Sequence, residues 1–98
     1  MYATMRHYSS REMADLLASR SGEIESMMSK VPGLHGYFLM RTDEGCASMT
    51  VCDDKAGTDE SARRAADWLR DNAGDISGTS PNILSGEVIA HADVGTRA

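Results

Sequence analysis

The stretch LHGYFLMRTDEGCASMTVC, residues 34–52, decides the fold. Apolar residues alternate with polar or small ones over 34–41 and again over 46–52, which is the period-two pattern of a strand. Between them, the segment TDEG at 42–45 has the composition of a hairpin turn, with a glycine available for a positive φ. The stretch therefore predicts two neighbouring antiparallel strands, around which the remaining elements must be placed.

On the amino-terminal side, Tyr2 to Tyr8 alternates like a strand and a helix is predicted to follow. Ser9 and Glu12 have the spacing of a capping box, so the helix should begin there. Ser-Gly at 21–22 favours a kink or break, and Pro-Gly at 32–33 ends the helix. Apolar residues recur at helical spacing and form one stripe toward the core: Met13, Leu16, Leu17, Ile24, Met27, Met28 and Val31.

On the carboxyl-terminal side, Thr58 is predicted to open a second helix that runs from Asp59 to about Ala73. Its buried stripe is small enough to lie close to a sheet, and Trp68 falls beside it: Ala62, Ala65, Ala66 and Leu69. Residues 75–82 have loop composition, residues 83–91 the pattern of a last strand, and residues 92–98 that of a flexible tail.

The order strand, helix, strand, strand, helix, strand predicts an α+β protein with the ferredoxin-like βαββαβ arrangement. Right-handed crossovers then place both helices on one face of a four-stranded antiparallel sheet with strand order 4-1-3-2. Residues 1–98 are expected to form one domain, since a chain of this length has room for a single core. Such a thin core favours pairing with another chain.

The strand residues divide by parity into two sets, and we expect the more apolar set to meet the helices. That set is Ala3, Met5, Gly36, Phe38, Met40, Ala47, Met49, Val51, Val88 and Ala90. The mixed set is Thr4, Arg6, Tyr8, His35, Tyr37, Leu39, Arg41, Cys46, Ser48, Thr50, Cys52, Glu87, Ile89 and His91. A mixed face is typical of two sheets that close over a partly polar cavity. The alternative is the exposed face of a monomer.

Composition and charge exclude several classes of function. A formal net charge of -5 with scattered basic residues opposes binding to nucleic acid or to an anionic membrane surface. No apolar stretch approaches the length of a membrane span, and no signal peptide is recognised, so a cytoplasmic location is expected. Cys46 and Cys52 lie on one predicted strand about 20 Å apart, too far for a disulfide within the chain, and should stay reduced.

The candidate site residues belong to the mixed set. Arg6, Tyr8, His35, Tyr37 and His91 are predicted to line the cavity, and His35, His91 and Tyr8 are the catalytic candidates. A histidine there could remove a phenol proton, although a lone histidine often only bonds a neighbour. Arg6 could hold a developing oxyanion, but a pairing with Glu87 on an adjacent strand is the structural role expected of it. No metal motif is present, so no metal is expected.

Several short segments resemble the dimeric α+β barrel superfamily that includes antibiotic biosynthesis monooxygenase-like domains and many small uncharacterised proteins. The resemblance covers nearly the whole chain. Its segments are Tyr2-Ala3, residues 32–37 (PGLHGY), residues 48–51 (SMTV), Glu60-Ser61 and residues 65–68 (AADW). The resemblance implies the ferredoxin-like fold and a homodimer. Haem is disfavoured, because the haem-degrading relatives use a histidine of the second helix and the segment 58–73 has none.

Two functions remain open at this stage. The resemblance implies a cofactor-independent monooxygenase that acts on a small aromatic or quinol-like substrate, with no cofactor. The alternative is a non-catalytic dimeric module that binds a small ligand or only assembles, which the absence of a matching catalytic set favours. In both cases we expect a homodimer whose interface is the mixed sheet face, because an uncovered face with tyrosines, Leu39 and Ile89 marks an interaction site.

Overall fold

A computed structural model describes residues 1–76 and 81–92 of the chain. The elements are β1 (Tyr2–Tyr8), α1 (Arg11–Ser19), α2 (Ser21–Met28), β2 (Leu34–Arg41), β3 (Cys46–Cys52), α3 (Lys55–Asn72), a 3-10 turn (Gly74–Ile76) and β4 (Asn82–Glu87). The four strands form one antiparallel sheet in the order β2-β3-β1-β4, which confirms the predicted 4-1-3-2 order and the ferredoxin-like α+β fold. The predicted tail over 92–98 falls almost entirely outside the described residues.

The helices begin at different residues from those predicted, because other side chains cap them. The Ser10 hydroxyl, not Ser9, accepts the Met13 backbone N–H at 3.1 Å and starts α1. Asp54 caps α3 by accepting the Gly57 backbone N–H at 3.2 Å, so this helix starts before Thr58. The predicted break near residue 21 is confirmed, since Arg20 leaves helical geometry between α1 and α2 (φ -117°, ψ 22°).

The predicted assignment of the two sheet faces is wrong. The helices cover the mixed-set residues of β1 and β3, so that even Thr4 and Arg6 are only 5% and 8% exposed, while Phe38 on the apolar set is 67% exposed. Parity states which residues share a face, but not which face the crossovers cover. The bulk of the core comes from the helices, through Met13, Leu17, Ile24, Met28 and Trp68, and small or polar strand residues fill the space beneath them.

The uncovered side of the sheet, here called the open face, is apolar at its centre. Phe38, Met49, Met5 and Leu84 are successive cross-strand partners and form one row over all four strands. The row of Gly36, Val51, Ala3 and Gly86 lies on one side of it, and the row of Met40, Ala47, His7 and Asn82 on the other. The three rows contain no Asp, Glu, Lys or Arg.

The two cysteines lie at opposite ends of β3, opposite Tyr8 and Tyr2. Both thiols are buried and free, and burial raises the pKa of each. Among the described residues, no helix has the length and apolar character required to cross a membrane.

The first turn of α3 packs directly on β3 at Gly57. A Cβ at this position would lie 2.7 Å from Cys52 Cβ, 3.0 Å from Cys52 Sγ and 3.0 Å from the Pro32 carbonyl oxygen. The distance to Cys52 Cβ is too short for any side chain, and the other two are tighter than ordinary Cβ contacts. The close approach therefore requires glycine.

We expect Gly57→Ala to destabilise the protein by about 1–3 kcal/mol, because the new methyl group forces α3 away from the sheet. Gly22→Ala is the matched control, since its Cβ would meet no atom within 4 Å and alanine should stabilise α2 by roughly 0.5–1 kcal/mol. Urea unfolding of both variants measures the free energies. Equal stability of Gly57→Ala and wild type would show that α3 does not rest on Cys52 as described.

Candidate functional site

A cleft opens at the edge of the sheet between β2 and the first two helices. Its outer part, here called the groove, has a volume of about 420 Å³ and is walled by residues of α1, α2 and β2 that include Leu17, Ile24, Tyr37 and Leu39. These four residues also border a smaller inner space, here called the chamber, which lies between the sheet and all three helices. The chamber volume is about 30 Å³, enough for about two water molecules.

Arg6 places a buried cation on the sheet side of the chamber. Its side chain donates from Nε to the Tyr8 hydroxyl and from Nη1 to the Ala62 carbonyl, both at 3.3 Å. Within residues 1–76 and 81–92, no carboxylate lies within 4.0 Å of the guanidinium. A buried charge without a counter-charge is costly, so the chamber favours a ligand with negative charge.

Tyr8 and Tyr37 bring two phenols to this cation. Burial, together with the nearby Tyr8, raises the pKa of Tyr37 to about 12, and the opposing effect of Arg6 is smaller. Tyr37 is therefore neutral at physiological pH and can donate a hydrogen bond. Its hydroxyl bonds no other side chain of the described residues, so the donor is available to a ligand.

Two hydroxyls of β3 complete the polar lining of the chamber. Ser48 and Thr50 are 8% and 2% exposed and lie directly opposite Arg6 and Thr4 on β1. Every fully enclosed side-chain nitrogen or oxygen in the described part of the chain has a hydrogen-bond partner. The Ser48 and Thr50 hydroxyls form no hydrogen bond with a described side chain. They are therefore not fully enclosed by protein atoms, and they face the space of the chamber.

The structure brings together only some of the residues that the sequence pointed to. Arg6, Tyr8 and Tyr37 line the chamber. His35 does not, because a bulge between Leu34 and Gly36 turns it outward, where its Nε2 lies 2.5 Å from Asp53 Oδ1. His91 is exposed beyond the end of β4. Of the three catalytic candidates, Tyr8 is the one that the chamber contains.

The strand partner of Arg6 also differs from the pairing expected. Ile83 lies opposite Arg6 on β4, whereas Glu87 lies opposite Tyr2 at the other end of the strand. The last strand ends at Glu87, opposite Tyr2 at the start of β1. Arg6 is therefore not neutralised by a carboxylate of its neighbouring strands.

Sequence reasoning missed the helical side of the site. Met27, Ser61, Trp68 and Leu69 line the chamber from α2 and α3. The mixed set could have indicated these helix residues. A cation and hydroxyls on a sheet face need hydrogen-bond partners or open space, so the helices above them must border a cavity. Within the described residues, no three His, Cys, Asp or Glu side chains are grouped as metal ligands.

The chemistry available here is stabilisation of an oxyanion in apolar surroundings. Arg6 can hold a phenolate or enolate oxygen, with Tyr37 as a neutral donor. The described lining of the chamber contains no carboxylate or imidazole that could act as a base near neutral pH. Ionisation of a bound phenol would therefore depend on the field of Arg6, which lowers the pKa of a nearby acid.

No family model matches the sequence, and no curated protein matches it. Solved structures do match. The protein of unknown function NE2512 from Nitrosomonas europaea is 18% identical and superimposes with a TM-score of 0.74 over 97% of this chain and 94% of that one.

Two further solved structures bear on the resemblance. The ActVA-Orf6 monooxygenase of Streptomyces coelicolor, solved with the ligand nanaomycin D, is 11% identical with a TM-score of 0.62, over 93% of this chain and 88% of that one. A dimeric ferredoxin-like protein from an uncultured marine organism is 13% identical with a TM-score of 0.55, over 94% and 96%. In fold, this chain is a ferredoxin-like α+β protein, as its sequence predicted, and the solved structures that it matches share this fold.

Proposed function

We propose that this chain is a homodimeric, cofactor-independent monooxygenase that acts on a small aromatic substrate with an acidic oxygen, such as a quinol. The buried Arg6 guanidinium carries this proposal, because no carboxylate of the described residues neutralises it and it faces the chamber. A phenolate or enolate oxygen at this point would supply the missing counter-charge. The fold shared with a monooxygenase supports the choice of reaction.

The dimensions of the cleft suit a ligand whose ring lies in the groove and whose oxygen lies in the chamber. The groove, at about 420 Å³, falls within the range of small-molecule sites, and its walls are mainly apolar. The chamber, at about 30 Å³, admits only a few atoms. A ring held in the groove between Ile24 and Leu39 would therefore direct its oxygen past Tyr37 toward Arg6.

The proposed reaction balances with molecular oxygen as the oxidant. A quinolate ring carbon bonds one oxygen atom of O₂, the distal oxygen takes a proton, and the hydroperoxide loses water. The ring then carries one new oxygen and has been oxidised to a hydroxyquinone, while the second oxygen atom leaves in the water. Arg6 stabilises the quinolate from which the electrons come, and Tyr37 remains a neutral donor beside it.

A non-catalytic ligand-binding module is the second candidate function. The observation that favours it is the described chamber lining, in which no carboxylate or imidazole can remove a proton near neutral pH. In that case Arg6 would bind an acidic oxygen and no oxygen would be consumed. The two functions share the site and differ in turnover.

The open face supports the homodimer. Phe38, Met49 and Leu84 of its central row are 67%, 39% and 71% exposed in the single chain. A continuous apolar surface of this kind marks an interface, and an isologous contact would cover two copies at once. The interface proposed is therefore the open face and not the mixed face that the sequence indicated. That a protein of the same fold is dimeric supports dimer formation itself.

We also propose a cytoplasmic location. Cys46 and Cys52 are both buried and unbridged in the structure, and reduced thiols are the usual state in that compartment.

Light scattering should report twice the mass of one chain for the wild-type protein. Met49→Lys should weaken the dimer by at least ~3 kcal/mol, roughly 100-fold in dissociation constant, because it buries an unpaired cation at the centre of the row. Ala66→Lys, an exposed position on α3, is the control and should remain dimeric. A wild-type monomer, or a Met49→Lys dimer of unchanged affinity, would contradict the interface.

Binding of 1-naphthol should depend on Arg6. We expect Arg6→Gln to weaken it by about 10- to 100-fold, the value of one hydrogen bond to a charged group. Quenching of Trp68 fluorescence measures the affinity, since this indole borders the chamber. Arg70→Gln on the exposed side of α3 is the charge-matched control, and 1-methoxynaphthalene, which cannot ionise, should bind both proteins equally. Equal loss of both ligands would mean that Arg6 shapes the cleft without binding the oxygen.

Oxygen consumption separates the two functions. Wild-type protein with 1,4-dihydroxynaphthalene should accelerate oxygen uptake above the buffer rate and form a hydroxyquinone, while Arg6→Gln should lower the rate by about 100-fold or more. Mass spectrometry of the product after reaction under ¹⁸O₂ identifies the inserted atom. Tight binding without accelerated uptake would establish the binding module instead.

A further inference from the structure

Helix α2 covers the part of the cleft that a ligand must enter. Ile24, Met27 and Met28 of this helix border the chamber, and Ile24 also borders the groove. Ile24 and Met28 are each 3% exposed, so they close the space between the helices and the sheet. Ile24 borders both the groove and the chamber, so we expect that a ligand oxygen passing from the groove to Arg6 must displace this cover.

The backbone on both sides of α2 can absorb such a movement. Arg20 separates α2 from α1 with a conformation outside the helical region. At the other end, Pro32 is followed by Gly33, which has a positive φ of 74°. The eight-residue helix is thus a short rigid unit between two irregular points of the chain.

The bonds between α2 and α3 come from side chains. The Trp68 indole donates from Nε1 to Glu23 Oε1 at 2.7 Å. At the same end, Arg20 lies over the Trp68 ring at 5.4 Å and pairs with Glu23 at 2.7 Å. At the far end, Arg64 Nη1 donates to the Met27 carbonyl at 3.3 Å. The bond to Glu23 is the shortest of these links between the helices, and it crosses from the first turn of α2 to a chamber residue.

We propose that α2 is the gate of the ligand cleft and that the hydrogen bond between Glu23 and Trp68 is its latch. The gate rests on the ligand-binding function proposed above, whereas the latch is a property of the free protein. Opening rotates α2 away from α3 about Arg20 and the Pro32-Gly33 segment. The movement withdraws Ile24 and Met28 from the chamber and joins it to the groove.

A latch that is closed both before and after binding controls rates and not affinity. Breaking it raises the population of the open form, so a ligand enters and leaves faster by the same factor. One hydrogen bond to a partly exposed carboxylate corresponds to about a five-fold change. A residue that only stabilised the protein would instead change the affinity or the melting temperature without this equal effect on both rates.

Hydrogen exchange of the free protein tests the latch. Glu23→Ala should accelerate exchange of the α2 amides by about five-fold under strongly native conditions, in which the amides of β3 remain protected. Glu44→Ala, an exposed carboxylate in the turn between β2 and β3, is the control. Because Glu23 also favours the first turn of α2, Trp68→Phe removes the donor from the other side, and the double variant should exchange no faster than the faster single variant. Additive effects, or unchanged exchange in Glu23→Ala, would overturn the latch.

Stopped-flow mixing with 1-naphthol tests the gate, with Trp68 fluorescence as the signal. Glu23→Ala should raise the association and dissociation rates together by about five-fold, with an unchanged dissociation constant. Faster exchange of α2 with unchanged binding rates would show that α2 opens but does not admit the ligand, which overturns the gate. If wild-type protein does not bind 1-naphthol, the proposed function and the gate both fail, while the exchange experiment still decides the latch.

Discussion

A single sheet has two faces, and helices that follow right-handed crossovers can cover only one of them. Every other property of this molecule depends on that constraint. On the covered face, the helices supply the bulky apolar side chains, so β1 and β3 can carry Arg6, Ser48 and Thr50 beneath them. On the open face, Phe38 and Met49 have nothing to pack against within the described chain. The covered face therefore holds the proposed ligand site, and the open face is the proposed dimer interface.

The sequence predicted the elements, their order and the sheet topology, because hydrophobic periodicity and turn composition are local signals. It did not predict which face the helices cover. Phe38 and Met49 were correctly predicted to share one face. Their apolar character did not identify the face that the helices cover, because both faces are covered in the assembly we propose. The handedness of the crossovers decides which face the helices cover. It is a property of the whole crossover and produces no pattern in the sequence of any single strand.

The candidate site shows the same division between local and distant information. Arg6 and Tyr8 share a strand and a face, so the alternation of β1 was enough to group them. His35 does not line the chamber because a bulge of one residue turns it outward. His91 does not line it because β4 ends at Glu87. The bond between Glu23 and Trp68 joins residues 45 positions apart, and nothing in the spacing of either helix anticipates it.

The methionines of the open face bear on the evolutionary history of the fold. Met5, Met40 and Met49 are unbranched and adapt their shape to irregular neighbours, so a surface built from them tolerates substitution on the opposing side. As the dimer interface proposed above, such a surface would constrain the volume of its side chains more than their identity, and the sequence could diverge while the architecture persists. Drift of this kind is in keeping with a backbone that superimposes well on proteins with which it shares only 11–18% of its residues.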